Sequence, residues 1–146
     1  MMKRLDFGKA SPGAYKALLG VENYIHDAGL EHSLLELVKL RASQINGCGY
    51  CVDMHAADAR KAGESERRLY AVAVWRETPF FTPRERAALA WTEALTRLSQ
   101  QPPLDAEFAA LREHFSEREM VDLSLAISAI NSWNRLAVGF GAQPAV

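Results

Sequence analysis

The segment NGCGYCVDMH, residues 46–55, holds the only two cysteines of a 146-residue chain, Cys48 and Cys51, with His55 four residues further on. On a helix continuous from Cys48, about 100° per residue puts the three groups within roughly a 60° arc. The two cysteines then stand one turn apart, with a Cα separation of roughly 5 to 6 Å, inside the range a disulfide accepts. His55 is the neighbour of Cys51 on the next turn. Unpaired N–H groups at a helix start favour a thiolate, which is the nucleophilic form of cysteine. Gly47 and Gly49 carry no side chain to shield the sulfurs, so an open approach is expected. His55 can take the thiol proton of Cys51 and return it to a leaving oxygen, which is general acid–base work.

A histidine in that role needs its second nitrogen held. Glu36, in ELVKLRASQINGC, lies twelve residues before Cys48. Antiparallel packing across an Asn46-Gly47 turn brings it to the level of His55. Rival readings stay open at this point. Glu36 could simply pair with Lys39 on its own helix, His55 could be a packed histidine, and the cysteines could be small core hydrophobes. Zinc could take two cysteines, a histidine and a glutamate. Structural zinc sites, however, spread their ligands over two separated knuckles, and no second Cys/His pair exists here. His26, His32 and His114 sit in no such constellation and read as surface or packing residues.

The elements that must position these groups read as helix after helix, in one domain over residues 1–146. Ser11-Pro12 supplies an N-cap and an N1 proline for a helix ending near Gly29. A second helix runs from about Ser33, with Leu34, Leu37, Val38 and Ile45 on one face, until Asn46-Gly47 breaks it. The third starts at or just after Cys48 and reaches Gly63, with Arg60 and Lys61 at the negative end of its dipole. ESERRLYAVAVWRE predicts a fourth; YAVAVW is strand-like, but its length and flanks favour helix. Thr82-Pro83-Arg84-Glu85 and Ser116-Glu117-Arg118-Glu119 are capping boxes. The first opens a helix through about Ser99 and the second a long helix ending at Gly139 or Gly141. Between them Gln101-Pro102-Pro103 predicts a loop, and Leu104 to Phe115 a short helix. The last helix is apolar around much of its circumference, from Met120 and Val121 to Trp133 and Val138, as in a central helix or a subunit interface.

Composition excludes some function classes. The formal charge of −1 offers no basic surface for nucleic acid and no polybasic tail for anionic lipid. The most apolar stretch carries Asp122, Asn131, Asn134 and Arg135, too costly for a lipid-facing span. The first residues lack the apolar run of a signal peptide, so a reducing, cytoplasmic setting is expected, where a cysteine pair is more often catalytic or metal-binding than a staple.

The stretch ELVKLRASQINGCGYCVDMHAADARKAG, with Glu36, Cys48, Cys51, His55, Ala59, Arg60 and Gly63, closely resembles the core motif of the AhpD-like alkylhydroperoxidases of the carboxymuconolactone decarboxylase superfamily. FFTPRERAALAWTEALTRL and INSWNRLAV extend the resemblance over residues 14–138. It implies an all-α fold of five to seven helices, assembled as trimers or hexamers, and reduction of hydroperoxides by the dithiol. No cofactor is implied; the partners are a hydroperoxide substrate and an external dithiol or thiol-protein reductant. By this resemblance Cys51 is the peroxidatic cysteine, Cys48 resolves it by closing the disulfide, and His55 with Glu36 forms the proton relay. One position departs: well-characterised members have a histidine directly before the second cysteine, where this chain has Tyr50. A tyrosine, with a pKa near 10, is a poor proton acceptor at neutral pH. A general dithiol oxidoreductase or redox sensor acting on a protein is the alternative, and a lactone decarboxylase is the weaker one.

Overall fold

The computed structural model describes residues 2–100 and 104–146. Its elements are α1 (Phe7–Ala10), α2 (Pro12–Asp27), α3 (His32–Ile45), α4 (Gly49–Lys61), α5 (Glu66–Ala71), a 3₁₀ segment (Val72–Glu77), α6 (Pro83–Thr96), α7 (Asp105–His114) and α8 (Glu117–Phe140). The all-α expectation holds, but the eight α-helices among the described residues exceed the expected five to seven. The added one, α1, is a single turn too short for periodicity to reveal; the Asp6 carboxylate accepts from the Lys9 N–H and nucleates it. The predicted fourth helix also changes character. It is α-helical only to Ala71 and continues as the 3₁₀ segment, where Val74 leaves helical geometry while Val72 and Trp75 turn into the core.

The caps explain most boundaries. Ser116 and Glu119 form the full reciprocal box at the start of α8. Thr82 accepts from the Glu85 N–H, but the Glu85 side chain meets the Thr82 hydroxyl rather than its backbone, so that box is half formed. Ser11 makes no side-chain capping bond, contrary to its predicted role, and Pro12 alone marks the start of α2. α6 stops at Thr96, three residues short of the expected end. Residues 101–103, where a proline loop is expected, lie outside the described residues.

α3 is the axis of the fold. It packs against α4, α6 and α8, and Leu34, Leu37, Val38 and Leu40 are essentially without solvent contact. Each such side chain contributes about 1.5–3 kcal/mol by leaving water. One apolar cluster joins α3 to α2, α6, α7 and α8, and a second joins it to α4, α5, the 3₁₀ segment and α6. Glu93 pins the second: its buried carboxylate accepts from Arg41 Nε at 2.8 Å, Trp75 Nε1 at 3.2 Å and Arg76. α8 is central, as its apolar circumference suggested, with Leu123, Ile127 and Ile130 buried; Val121, Leu125 and Val138 remain exposed. It ends at Gly141, in the left-handed region at φ 73°, where a Cβ would fall 2.5 Å from the Met2 carbonyl oxygen. The N-terminal strand of chain crosses there, with the Arg4 and Leu5 N–H groups donating to the Phe140 carbonyl. Among the described residues, no helix is long and apolar enough to cross a membrane.

Candidate redox site

The site begins where α3 stops. Gly47 alone takes the left-handed conformation, at φ 66°, while Asn46 stays right-handed. The Cys48 N–H then bonds back to the Ser43 carbonyl at 3.0 Å. Asn46 is held from the opposite side by α8: its Nδ2 donates to Asn131 Oδ1 and Asn134 Oδ1, both at 2.9 Å. Asn134 Nδ2 in turn donates to the Ser43 hydroxyl at 3.0 Å. This amide network fixes the turn from which the cysteines hang. Sequence reasoning saw Asn131 and Asn134 only as too polar for a membrane; their three-residue spacing on a core helix was the available signal.

Cys48 is the N-cap of α4, and its sulfur accepts the Cys51 N–H at 3.2 Å. The two cysteines are joined as a disulfide with Cα atoms 5.3 Å apart, the separation expected from one helical turn. The expected open approach past the glycines is not found. Cys48 and Cys51 are each 1% exposed, because Ala137 of α8 and Ala142 beyond it cover the sulfurs. Access lies elsewhere, through an apolar pocket of about 230 Å³ that Cys51 and His55 both line. Its walls are Tyr50 and Met54 of α4, Tyr15 and Leu19 of α2, Phe7 and Trp133. Tyr15 meets Trp133 edge-on at 5.5 Å, and Phe7 packs at 6.4 Å from the same ring. The one carboxylate in the lining, Glu22, accepts from Trp133 Nε1 at 3.1 Å and pairs with Lys39 at 3.3 Å. Tyr50 is exposed at the rim.

Glu36 meets His55 as the antiparallel α3–α4 turn predicts: Oε2 lies 3.0 Å from Nδ1, with both residues buried. Lys39, the rival partner, is engaged with Glu22 instead. Burial pushes the Glu36 carboxyl up, but the His55 hydrogen bond, with the charges of His55, Lys39 and His32, outweighs it and holds the group below the ordinary carboxylate range. The bond to Nδ1 leaves Nε2 as the nitrogen available to Cys51 and a ligand. Glu36 also lines a second cavity of about 330 Å³, together with His32, Ser33, Glu64 and Arg68 and with Ala59, Ala62 and Gly63. His32 is exposed, as expected, yet its Nε2 stands 3.9 Å from Glu36 Oε1. Asp58, one turn beyond His55, was not singled out from sequence; ligand-type atoms of Glu36, His55 and Asp58 lie within 4.8 Å of one another. His26 and His114 stay apart, the first beside Asp27 and the second giving its carbonyl to Arg84.

The arrangement is thus a disulfide at a helix start, a buried His–Glu pair, and an apolar pocket touching both. Known proteins share the fold. A structure from Agrobacterium tumefaciens, of a protein of unknown function suggested to be an antioxidant-defence AhpD, is 48% identical, covers 99% of both chains and superposes with a TM-score of 0.96. The uncharacterised protein YdfG of Bacillus subtilis is 39% identical over 145 residues, 99% of each chain. Alkyl hydroperoxide reductase AhpD of Hyphomonas neptunium is 43% identical, but over 49 residues, which are 34% of this chain and 27% of that protein. Residues 12–94 match the carboxymuconolactone decarboxylase family model. With that match over more than half its length, the chain belongs to the carboxymuconolactone decarboxylase family and has an AhpD-like fold.

Proposed function

We propose that the protein is a thiol-dependent peroxidase that reduces organic hydroperoxides through a Cys48/Cys51 dithiol–disulfide cycle. The observation that carries this reading is that Cys51 and the Glu36-bound His55 line one apolar pocket. In the reduced protein His55 Nε2 takes the Cys51 proton. The thiolate attacks the terminal peroxide oxygen, the O–O bond breaks, and the departing alkoxide recovers the proton from His55 as an alcohol. Cys51 is now a sulfenic acid; Cys48 attacks it, water leaves, and the disulfide closes. An external dithiol, or a thiol protein, restores both thiols. Glu36 holds the imidazole oriented and stabilises its protonated form throughout. We further propose a cytoplasmic homo-oligomer, a trimer or hexamer, drawing on the family resemblance and on the exposed Val121 and Leu125 of α8.

Tyr50 supports a second reading. It offers no base at the position next to Cys51, so the pair could instead exchange with a protein disulfide. Rapid mixing of reduced protein with cumene hydroperoxide separates the two. The peroxidase consumes one peroxide and forms one disulfide per chain, and Cys51→Ser consumes none. Full consumption by Cys51→Ser, or none by wild type, removes the peroxidase reading.

A further inference from the structure

The polar side of the Glu36–His55 pair carries donors that the redox chemistry leaves unused. On α3, His32 and Glu36 are four residues apart; on α4, His55 and Asp58 are three apart. Both spacings put the two side chains of a helix on one face, and the 3.0 Å Glu36–His55 contact turns the two faces toward each other. Two helices therefore present two imidazoles and two carboxylates to one place, a pattern by which helical proteins build metal centres between facing helices.

We propose that Glu36, His55 and Asp58, with His32 as fourth ligand, form a site for a divalent transition-metal ion of the zinc class. Nitrogen and oxygen donors at ~2.0–2.2 Å suit such an ion, and four of them in a tetrahedron stand a little over 3 Å apart. Glu36 Oε2 and His55 Nδ1, at 3.0 Å, reach that spacing by parting a few tenths of an ångström. The trio of ligand atoms spans 4.8 Å at most, and His32 Nε2 lies 3.9 Å from Glu36 Oε1. The remaining closure falls to Asp58 and His32, the two exposed members of the set, while the buried pair stays in place. The 330 Å³ cavity lined by His32 and Glu36 gives the ion its entry.

Binding at Nδ1 takes the place of the hydrogen bond to the carboxylate, and the single proton of the neutral ring then sits on Nε2, where it blocks that nitrogen as a base. No sulfur takes part; the cysteines are bonded to each other, and the site is complete in the oxidised protein. The consequence for the proposed peroxidase is occupation of its proton relay, which makes the metal an inhibitor.

The test uses the oxidised full chain, so it does not depend on any peroxide chemistry. Titration with zinc chloride by calorimetry should show one ion per chain, and cobalt chloride should give the visible d–d bands of a tetrahedral nitrogen–oxygen site. Asp58→Asn and His32→Gln, both at exposed positions, should each weaken binding 10-fold or more while leaving the circular dichroism spectrum unchanged. Reduction of the disulfide should leave the bands without sulfur-to-cobalt charge transfer. Absence of stoichiometric binding up to 100-fold excess metal would overturn the proposal. So would affinity unchanged in both variants, or charge-transfer bands that assign the metal to the cysteines.

Discussion

Glu36 and His55, nineteen residues apart in the chain, meet at 3.0 Å because the α3–α4 turn reverses the helices at Gly47 and returns each residue to the other's level. The contact orients the imidazole: with Nδ1 committed to the carboxylate, only Nε2 is left for the pocket that Cys51 lines. Replacing Glu36 by Gln keeps a hydrogen-bonding group but removes the charge that stabilises a protonated His55. Peroxide turnover should fall by about 10²-fold or more, the scale of a positioned general acid–base pair. His55→Gln should fall at least as far. The pH dependence has a definite sign. The Glu36 carboxyl is held below the ordinary carboxylate range, so it is ionised from neutrality downward through the usual glutamate value, and its contribution is lost only as pH falls through its lowered value. Glu36→Gln should therefore be slower than wild type at neutral and weakly acid pH alike, because Glu36 keeps its charge across that whole range.

Trp133 is both wall and anchor of the apolar pocket beside Cys51. Its ring packs against Tyr15 and Phe7, and its N–H holds Glu22. Trp133→Phe retains an aromatic wall but shrinks it and removes the N–H from Glu22, which is left with Lys39 as its partner. KM for cumene hydroperoxide should rise several-fold, while the rate with hydrogen peroxide, too small to touch that wall, should change little. Steady-state kinetics with the two peroxides provides the comparison; equal losses for both would contradict a role in binding the organic body.

The helices and the CXXC–Glu36–His55 group were legible in the sequence because their signals are local. Capping residues, Gly29, Gly47 and Gly63 at turns, and helical spacing around Cys48 all act within a few residues. Antiparallel packing across one short turn then placed Glu36 without further information. What was not legible depends on contacts distant in the chain. Cover over the sulfurs comes from Ala137 and Ala142, about ninety residues away, so the glycines misled about access. Lys39 pairs with Glu22 of α2, at 3.3 Å, rather than with its helical neighbour Glu36, a choice that only the tertiary fold sets. Asp58 and His32 looked like ordinary exposed polar residues until the facing helix was in place. The single turn of α1 and the 3₁₀ ending of the fourth helix were missed for a different reason: both are shorter than a hydrophobic period can resolve.

Glu93 carries a stability prediction. Burial pushes its carboxyl up, but hydrogen bonds from Arg76, Arg41 and Trp75 outweigh that and hold it below the ordinary range. Its folded value is depressed, so its stabilising contribution is fully present above the unfolded glutamate value and is lost as pH falls through the folded one. Glu93→Gln leaves Arg41 largely buried without its counter-charge and should cost about 3 kcal/mol at neutral pH. Urea melts at neutral and acid pH should show the gap between wild type and variant narrowing as pH falls. A gap independent of pH would show that the charge of Glu93 contributes nothing.

Asn134 ties the long C-terminal helix to the turn that carries the cysteines. Its amide accepts from Asn46 and donates to Ser43, and it is 1% exposed. Asn134→Ala leaves a void and removes a partner from the buried Ser43 hydroxyl and the half-buried Asn46 amide, for a cost of about 1–3 kcal/mol. The loss also bears on the redox pair, since Ala137, one turn further along α8, forms the cover over Cys48 and Cys51. Loosening the turn from α8 should expose the disulfide. Reduction by dithiothreitol, followed by thiol release, should be several-fold faster in Asn134→Ala than in wild type under conditions where both are folded. Asn131→Ala supplies the control, because Asn131 sits at the edge of the same network and also bonds Thr96 and the Ile127 carbonyl. It should lower stability by less and change the reduction rate less, since Asn134 still holds Asn46. Equal reduction rates in wild type and Asn134→Ala would mean that Ala137 keeps its place without the amide clamp, and that α8 shields the disulfide by packing alone.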